Sequence, residues 1–426
     1  MPLALLALAI GAFGIGMTEF AVMGLLPDVA AGFGVPVPLA GYATTLYALG
    51  VVLGAPLMTV LGTRMTRKQM LTLLMGLFVV GNVITGAAPT FEVMLVGRIV
   101  SSFTHGAFFG IGSIVAADLV APQKRAVALS LMFSGLTVAN VVGVPAGTLL
   151  AQQVSWRATF FVIAALGVIG LAGVAGLIPA RPEKAAARLG HELAVFRNPQ
   201  VGLALLMTTL GFGGVFAAVT YLASMMTEVT GFAPPSVIWL TAVFGIGMVG
   251  GNLISGRFTD RALLPMLYVS LGGLAITLAA FSFTAHDKVA ATVTIVLIGV
   301  FGFATVPPLQ KRVMDQAAAA PTLASAGNIA AFNFGNALAA WLGGIVISAG
   351  LGYTAPNWVG VAMTVTALGV AFLSSVLERR SAGRGQDHGQ GRIVAAGSGV
   401  DAAAGAGASA GARDASGERA GEAVRN

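Results

Sequence analysis

The chain has 426 residues, 57% of them hydrophobic and only 9% charged. Soluble domains carry about 25% charged residues, so a water-soluble globule is excluded. The absence of cysteine excludes disulfides, thiolate catalysis and cysteine metal sites. The formal charge of +7 does not call for nucleic acid, because the excess lies in loops and the tail, where cytoplasmic Lys/Arg bias belongs.

The charges are segregated. No Lys, Arg, Asp or Glu lies between Asp28 and Arg64, between Lys68 and Glu92, or between Asp315 and Glu378. Apolar runs of about 20 residues mark transmembrane helices. The fold class expected is therefore an all-α polytopic membrane protein. Twelve spans are expected, at about 4–26, 39–62, 70–88, 92–118, 126–151, 158–179, 200–226, 236–256, 263–284, 289–310, 323–349 and 356–377. Met1 to Phe13 has a signal peptide's apolar run without its positive start, and eleven more spans follow, so it reads as part of the first helix.

Lys/Arg counts orient the chain. With the N-terminus inside, the inner loops hold Arg64, Arg67, Lys68, Lys124, Arg125, Arg181, Lys184, Arg188, Arg197, Arg257, Arg261, Lys311 and Arg312, and the outer loops only Arg157 and Lys288. Both termini are expected in the cytoplasm of a plasma-membrane (inner-membrane) protein. Four regions follow: a six-helix bundle at 1–179, a cytoplasmic linker at 180–199, a second six-helix bundle at 200–377, and an Ala/Gly/Ser-rich tail at 378–426, expected to be disordered. The halves repeat. Thr63-Arg64 recurs as Asp260-Arg261, 197 positions on; Gly32-Phe33 as Gly231-Phe232, 199 on; Gly135 and Gly143 as Gly335 and Gly343, 200 on. Parallel six-helix repeats with a site between them are a transporter architecture.

Glu19 is the one carboxylate well inside the first span, 8 residues before Pro27. Arg98 lies 6 residues after Glu92, where the fourth span enters from the same face. At about 1.5 Å per residue both are roughly 9–12 Å deep. Two readings stand: a proton-titratable carboxylate tuned by burial and the guanidinium, or an ion pair that locks two helices. His105 is two turns beyond Arg98, and reads as a proton relay or as a hydrogen-bonded packing residue.

At the cytoplasmic mouth, Arg64, Arg67 and Lys68 face Asp118 at the end of the fourth span, as a salt-bridge latch or as topological charge. Gly143-Val-Pro145-Ala-Gly147 in the fifth span is a smooth ridge with a proline, for rocking or for static packing. The seventh span holds Phe212, Phe216 and Tyr221; the eleventh holds Asn328, Phe332, Asn333, Phe334, Asn336 and Trp341. With Thr18 and Asn140, the seventh-span aromatics, Phe332, Asn333 and Asn336 are the candidate substrate-cavity set; helix–helix glue is the other reading. There is no phosphate loop, metal-ligand cluster or nucleophile elbow. No cofactor and no metal are expected, the protein is not expected to be an enzyme, and energy for transport would come from an ion gradient.

These motifs carry a family resemblance over about residues 3–377. Thr18-Glu19-Phe20 with Gly24-Leu-Leu-Pro27 resembles the first-helix signature of drug/proton antiporters in the major facilitator superfamily. Arg98 with Gly106-Ala-Phe108 resembles its fourth-helix motif, and Gly143-Val-Pro-Ala-Gly147 its fifth-helix antiporter motif. Trp156-Arg157-Ala-Thr-Phe160 is similar to the usual entry to the sixth helix. Arg64 and Arg67-Lys68 resemble the loop motif between helices two and three, with Thr63 and Thr66 where Asp and Gly are usual, while Asp260-Arg261 keeps the acid. The start resembles the branch of chloramphenicol and arabinose-type exporters. The resemblance implies twelve helices around a central cavity, and proton-coupled efflux of a small amphipathic drug such as chloramphenicol by a monomer in the lipid bilayer. Export of a sugar or other metabolite is the alternative.

Overall fold

The computed structural model describes residues 3–62, 65–180, 193–318 and 320–401. Among these, all regular structure is helical. Twelve helical stretches are long and apolar enough to cross a membrane, so this is a multi-pass membrane protein with twelve spans.

The first half contains α1 (Leu3–Phe33), the short α2 (Val37–Ala40), α3 (Tyr42–Gly62), α4 (Arg67–Ala87) and α5 (Phe91–Asp118). After these come α6 (Arg125–Val138), a single wide π turn (Ala139–Gly143), α7 (Val144–Gln153) and α8 (Trp156–Leu177). The second half contains α9 (Pro199–Val219), α10 (Leu222–Glu228), α11 (Ser236–Thr259), α12 (Leu263–Thr284), α13 (Lys288–Ala304), α14 (Val306–Gln316), α15 (Pro321–Ser348) and α16 (Ala355–Asp401).

Several ends differ from expectation. α1 does not stop near Pro27 but carries it inside and runs to Phe33. The fifth, seventh and tenth spans are each two helical pieces. The fifth breaks at the π turn before Pro145. Proline donates no backbone hydrogen bond and crowds the preceding turn, and a π turn accommodates both. The tenth breaks at Thr305 before Pro307 and Pro308. The linker expected at 180–199 lies outside the described residues except for Ala180 and its last stretch, a short turn at Leu193–Arg197 followed by the start of α9. α16 continues past the expected end of the last span, and the tail beyond Asp401 lies outside the described residues.

Small residues set the helix spacing, since without water to squeeze out, close backbone approach supplies the contact energy. A Cβ on Gly97 of α5 would stand 2.6 Å from the Thr85 amide nitrogen of α4. The two halves repeat such contacts. Gly135 of α6 abuts the Ala9 carbonyl of α1, and Gly335 of α15 abuts the Thr209 carbonyl of α9. Both partners are offset by 200 positions.

The halves meet along two seams. α3 lies along α15, and α11 lies along α7 and the π turn. At the Lys/Arg-poor end, Tyr221 packs over Gly41, and its hydroxyl donates to the Ala340 carbonyl at 2.8 Å. The Gln152 amide donates to the Pro234 carbonyl at 2.8 Å across the second seam.

Candidate functional site

Successive helical residues point about 100° apart, so three neighbours on one helix can address three different partners. Thr18, Glu19 and Phe20 of α1 do this. The Thr18 hydroxyl donates to Asn82 Oδ1 of α4 at 3.0 Å, and the Asn82 amide donates to the Phe78 carbonyl. Glu19 faces α5, with Oε2 3.9 Å from His105 Nδ1. Phe20 crosses to the other half, with ring centroids 5.8 Å from Phe216 and 6.3 Å from Phe303.

Arg98 is 0% exposed. A guanidinium in the bilayer interior costs roughly 2.5–3.5 kcal/mol on insertion scales, so it needs compensating partners. Nη1 donates to the Thr18 carbonyl at 2.7 Å and Nε to the Ala43 carbonyl at 3.2 Å. The group also stacks on the Tyr47 ring, 4.2 Å from its centroid. Nη2 is buried without a hydrogen-bond partner. Glu19 and Arg98 are both buried on adjoining helices, yet no ion pair joins them. The helix-locking pair expected as one reading is therefore not formed; Arg98 is held by carbonyls and an aromatic face instead.

His105 is 7% exposed. Its Nδ1 is shared between Glu19 and the Tyr47 hydroxyl, which lies at 3.3 Å. Its ring packs against Phe109, centroids 5.3 Å apart. Tyr47 therefore touches both the guanidinium and the imidazole. Sequence reasoning passed over it, although a phenol in a span without charges needs a polar partner.

Opposite this polar cluster stands an aromatic one. Phe212 contacts Phe216, Phe303 and Phe332 at 5.7, 5.3 and 4.9 Å, and Phe303 contacts Phe244 at 6.5 Å. With Phe20 this makes six phenylalanines from five helices of both halves. Phe244 and Phe303 were missed, because nothing in their local sequence distinguishes them from lipid-facing residues, and Phe20 entered only as part of the Thr18-Glu19-Phe20 motif.

The candidate cavity set separates. Phe212, Phe216 and Phe332 belong to the aromatic cluster. Asn333 and Asn336 are 4% and 2% exposed, each with an unpaired buried Oδ1, while the Asn333 amide donates to the Ile329 carbonyl. Thr18 does not line open space: it is 0% exposed, tied to Asn82 and Arg98. Tyr221 immediately precedes the short helix α10 and packs on Gly41 at the Lys/Arg-poor end, away from the aromatic cluster. Asn140 sits in the π turn, where Gly245 of α11 presses on its backbone, and its amide donates to the Leu136 carbonyl. Phe334 and Trp341 point outward, 47% and 43% exposed. Asn328 is glue: it accepts from Thr208 at 2.7 Å and donates to Gln310 at 2.6 Å.

The fifth-span ridge meets both halves: Val144 packs into the apolar cluster of the second half. Gly143 and Gly147 lie against Met17 of α1, Pro145 is buried, and an apolar cavity of about 520 Å³ opens beside them. Across the seam, Gly245 of α11 also presses on the Asn140 backbone one turn earlier. At the Lys/Arg-rich end, Arg67 and Asp118 pair at 2.7 Å. Lys68 is half-buried at the start of α4, and Arg64 lies outside the described residues. In the second half Asp260 pairs with Lys311 at 3.7 Å, and Arg261 is exposed.

Twelve spans, with a buried Glu/Arg/His cluster carried by α1 and α5 of the first half, define a polytopic transporter. The chain belongs to the Major Facilitator Superfamily, whose model matches residues 8–330. It is a transporter, not an enzyme. It is 44% identical to the Escherichia coli (strain K12) inner membrane transport protein YdhP, over 87% of this chain and 95% of that protein. It is 34% identical to a chloramphenicol resistance protein of Streptomyces lividans, over 87% of this chain and 96% of that one. Its fold resembles a bacterial homologue of the human lysosomal transporter Spinster, solved inward-facing and unoccupied, with TM-score 0.66 and 17% identity over 87% of this chain and 96% of that one.

Proposed function

We propose that this transporter is a proton-coupled exporter of small amphipathic compounds, with chloramphenicol the first to test. The observation that carries the reading is Glu19, a buried carboxylate beside two partners it does not fully engage. One is His105 Nδ1 at 3.9 Å; the other is the Arg98 guanidinium, whose Nη2 is unpaired. Protonated, Glu19 stays on the histidine side. Deprotonated, it turns to Nη2 of Arg98, where a charge-assisted hydrogen bond offsets the cost of a buried anion.

The substrate occupies the space between this cluster and the six phenylalanines, with Asn333 and Asn336 as polar anchors. Proton and drug then compete, so that each weakens the other's binding by the same factor. A phenyl-rich wall with two amides favours a partly aromatic, amphipathic solute over a sugar, which would need a denser set of hydrogen-bonding groups. The 34% identity to a chloramphenicol resistance protein supports the same choice.

The mechanism is alternating access in the plasma (inner) membrane, with both termini cytoplasmic by the Lys/Arg distribution. The Tyr221–Gly41 contact and the Gln152–Pro234 bond then form the outer seal. Each chain carries both halves and works as a monomer; Arg67, Lys68, Asp118, Asp260 and Arg261 are the inner gating charges. The test is chloramphenicol susceptibility of expressing cells with and without a protonophore, followed by proton and drug flux in proteoliposomes. Glu19→Gln abolishes drug-driven proton movement. If that variant still builds a drug gradient at the normal rate, Glu19 is not the coupling group.

A further inference from the structure

Nothing in the transport reading requires Tyr47, yet Tyr47 touches both basic members of the cluster, Arg98 and His105. Its ring lies under the Arg98 guanidinium at 4.2 Å, and its hydroxyl stands 3.3 Å from His105 Nδ1. It is 2% exposed. The same Nδ1 is the atom nearest Glu19, at 3.9 Å. One imidazole nitrogen thus faces two oxygen groups that compete for it.

The ionisable surroundings of His105 are confined to these residues. Glu19 comes from α1, Tyr47 from α3 and Arg98 from its own helix. α4 and α6 place charges only at their first residues, Arg67, Lys68 and Arg125, and α15 has none. A proton leaving Glu19 toward the cytoplasm has, among the described residues, one side-chain acceptor within reach.

We propose that His105 accepts the proton of Glu19 through Nδ1, and that Tyr47 is the positioning residue that holds Nδ1 as the accepting nitrogen. This deepens, and rests on, the proton-coupled reading. The Tyr47 hydroxyl donates to Nδ1, which fixes the neutral ring with its proton on Nε2. In the transfer the Glu19 O–H bond breaks, its electron pair stays on the carboxylate, and an N–H bond forms at Nδ1. The Tyr47 hydroxyl turns from donor to acceptor of that new N–H. The imidazolium then loses its Nε2 proton to water on the cytoplasmic side, which leaves the Nδ1–H tautomer; exchange with water returns that proton to Nε2 and frees Nδ1 for the next transfer, and no electrons change hands. Arg98, fixed on the Tyr47 ring, faces the carboxylate that is left.

The test reads the tautomer directly and needs no substrate. Nitrogen NMR of histidine-labelled full-length protein in lipid nanodiscs resolves the two ring nitrogens; the chain has four histidines, and loss of a signal in His105→Gln assigns the relevant one. In wild type the neutral ring carries its proton on Nε2. Tyr47→Phe keeps the ring under Arg98 but removes the hydroxyl, and the proton then divides between Nε2 and Nδ1. In proteoliposomes with chloramphenicol as probe, His105→Gln slows proton-coupled export roughly a hundredfold, the usual loss of a general acid–base group. A wild-type ring protonated on Nδ1, or a Tyr47→Phe spectrum identical to wild type, overturns the relay alone. Wild-type protein that moves chloramphenicol without protons overturns the functional reading, and the relay with it.

Discussion

Replacing Arg98 by lysine keeps the charge and removes the shape. Arginine here makes two charge-assisted bonds to carbonyls on different helices, to Thr18 of α1 and Ala43 of α3, while its plane stacks on Tyr47. A lysine ammonium reaches one carbonyl at a time and has no plane to stack. The lost bond to a charged donor is worth about 1.5–3 kcal/mol, and the weaker aromatic contact about 1 kcal/mol more. The sum is about 3 kcal/mol, roughly a hundredfold in rate at about 1.4 kcal/mol per decade. The assay is proton-driven drug export in proteoliposomes at matched protein density, with thermal unfolding run in parallel. Arg98→Lys is expected to lose transport by that factor and to retain membrane insertion. Export within roughly threefold of wild type would show that charge alone is needed and that the α1–α3 bridge does not matter to the cycle.

Three further outcomes follow from the packing. Gly41→Leu drives a side chain into Tyr221, whose ring carbon would lie 3.0 Å from the new Cβ, and overpacking of about 1–3 kcal/mol opens the outer seal. The chain has no native cysteine, so Thr220→Cys reports the opening as faster labelling by a water-soluble maleimide, and unchanged labelling contradicts the seal. Gly97→Ala lowers thermal stability by about 1–3 kcal/mol because Thr85 of α4 is backbone-close, whereas Gly76→Ala, with nothing within 4 Å, leaves stability unchanged or raises it by up to about 1 kcal/mol. Equal unfolding temperatures for the two variants refute that contact. Phe332→Ala removes the 4.9 Å edge contact with Phe212 and weakens drug binding, raising KM more than it lowers kcat. An unchanged KM places the substrate elsewhere.

The geometry explains how a chain with so few charges uses them. Thr18, Glu19 and Phe20 link the proton cluster to the aromatic cluster through one turn of helix, without an intervening loop. Phe20, next to Glu19, is where α1 touches the other half through Phe216 and Phe303. The Tyr221 contact with Gly41 and Ala340 joins the same pair of halves at the Lys/Arg-poor end.

Sequence alone determined the number of spans and the all-helical class. Hydrocarbon admits no unpaired backbone, so long apolar runs separated by charged loops have one solution. It also required Glu19 and Arg98 to face inward, since either would be costly against lipid. Tertiary structure decided what they face. A lipid-buried helix is apolar on every side, so its sequence does not mark which side meets which neighbour. Ala43, Tyr47 and Asn82 became partners of α1 and α5 only when helices from distant parts of the chain closed around them. For the same reason Tyr221 proved to pack across to Gly41 of the first half, and Phe303 to be a member of the aromatic cluster. Composition orders a membrane helix by depth; rotation about its axis is set by its neighbours.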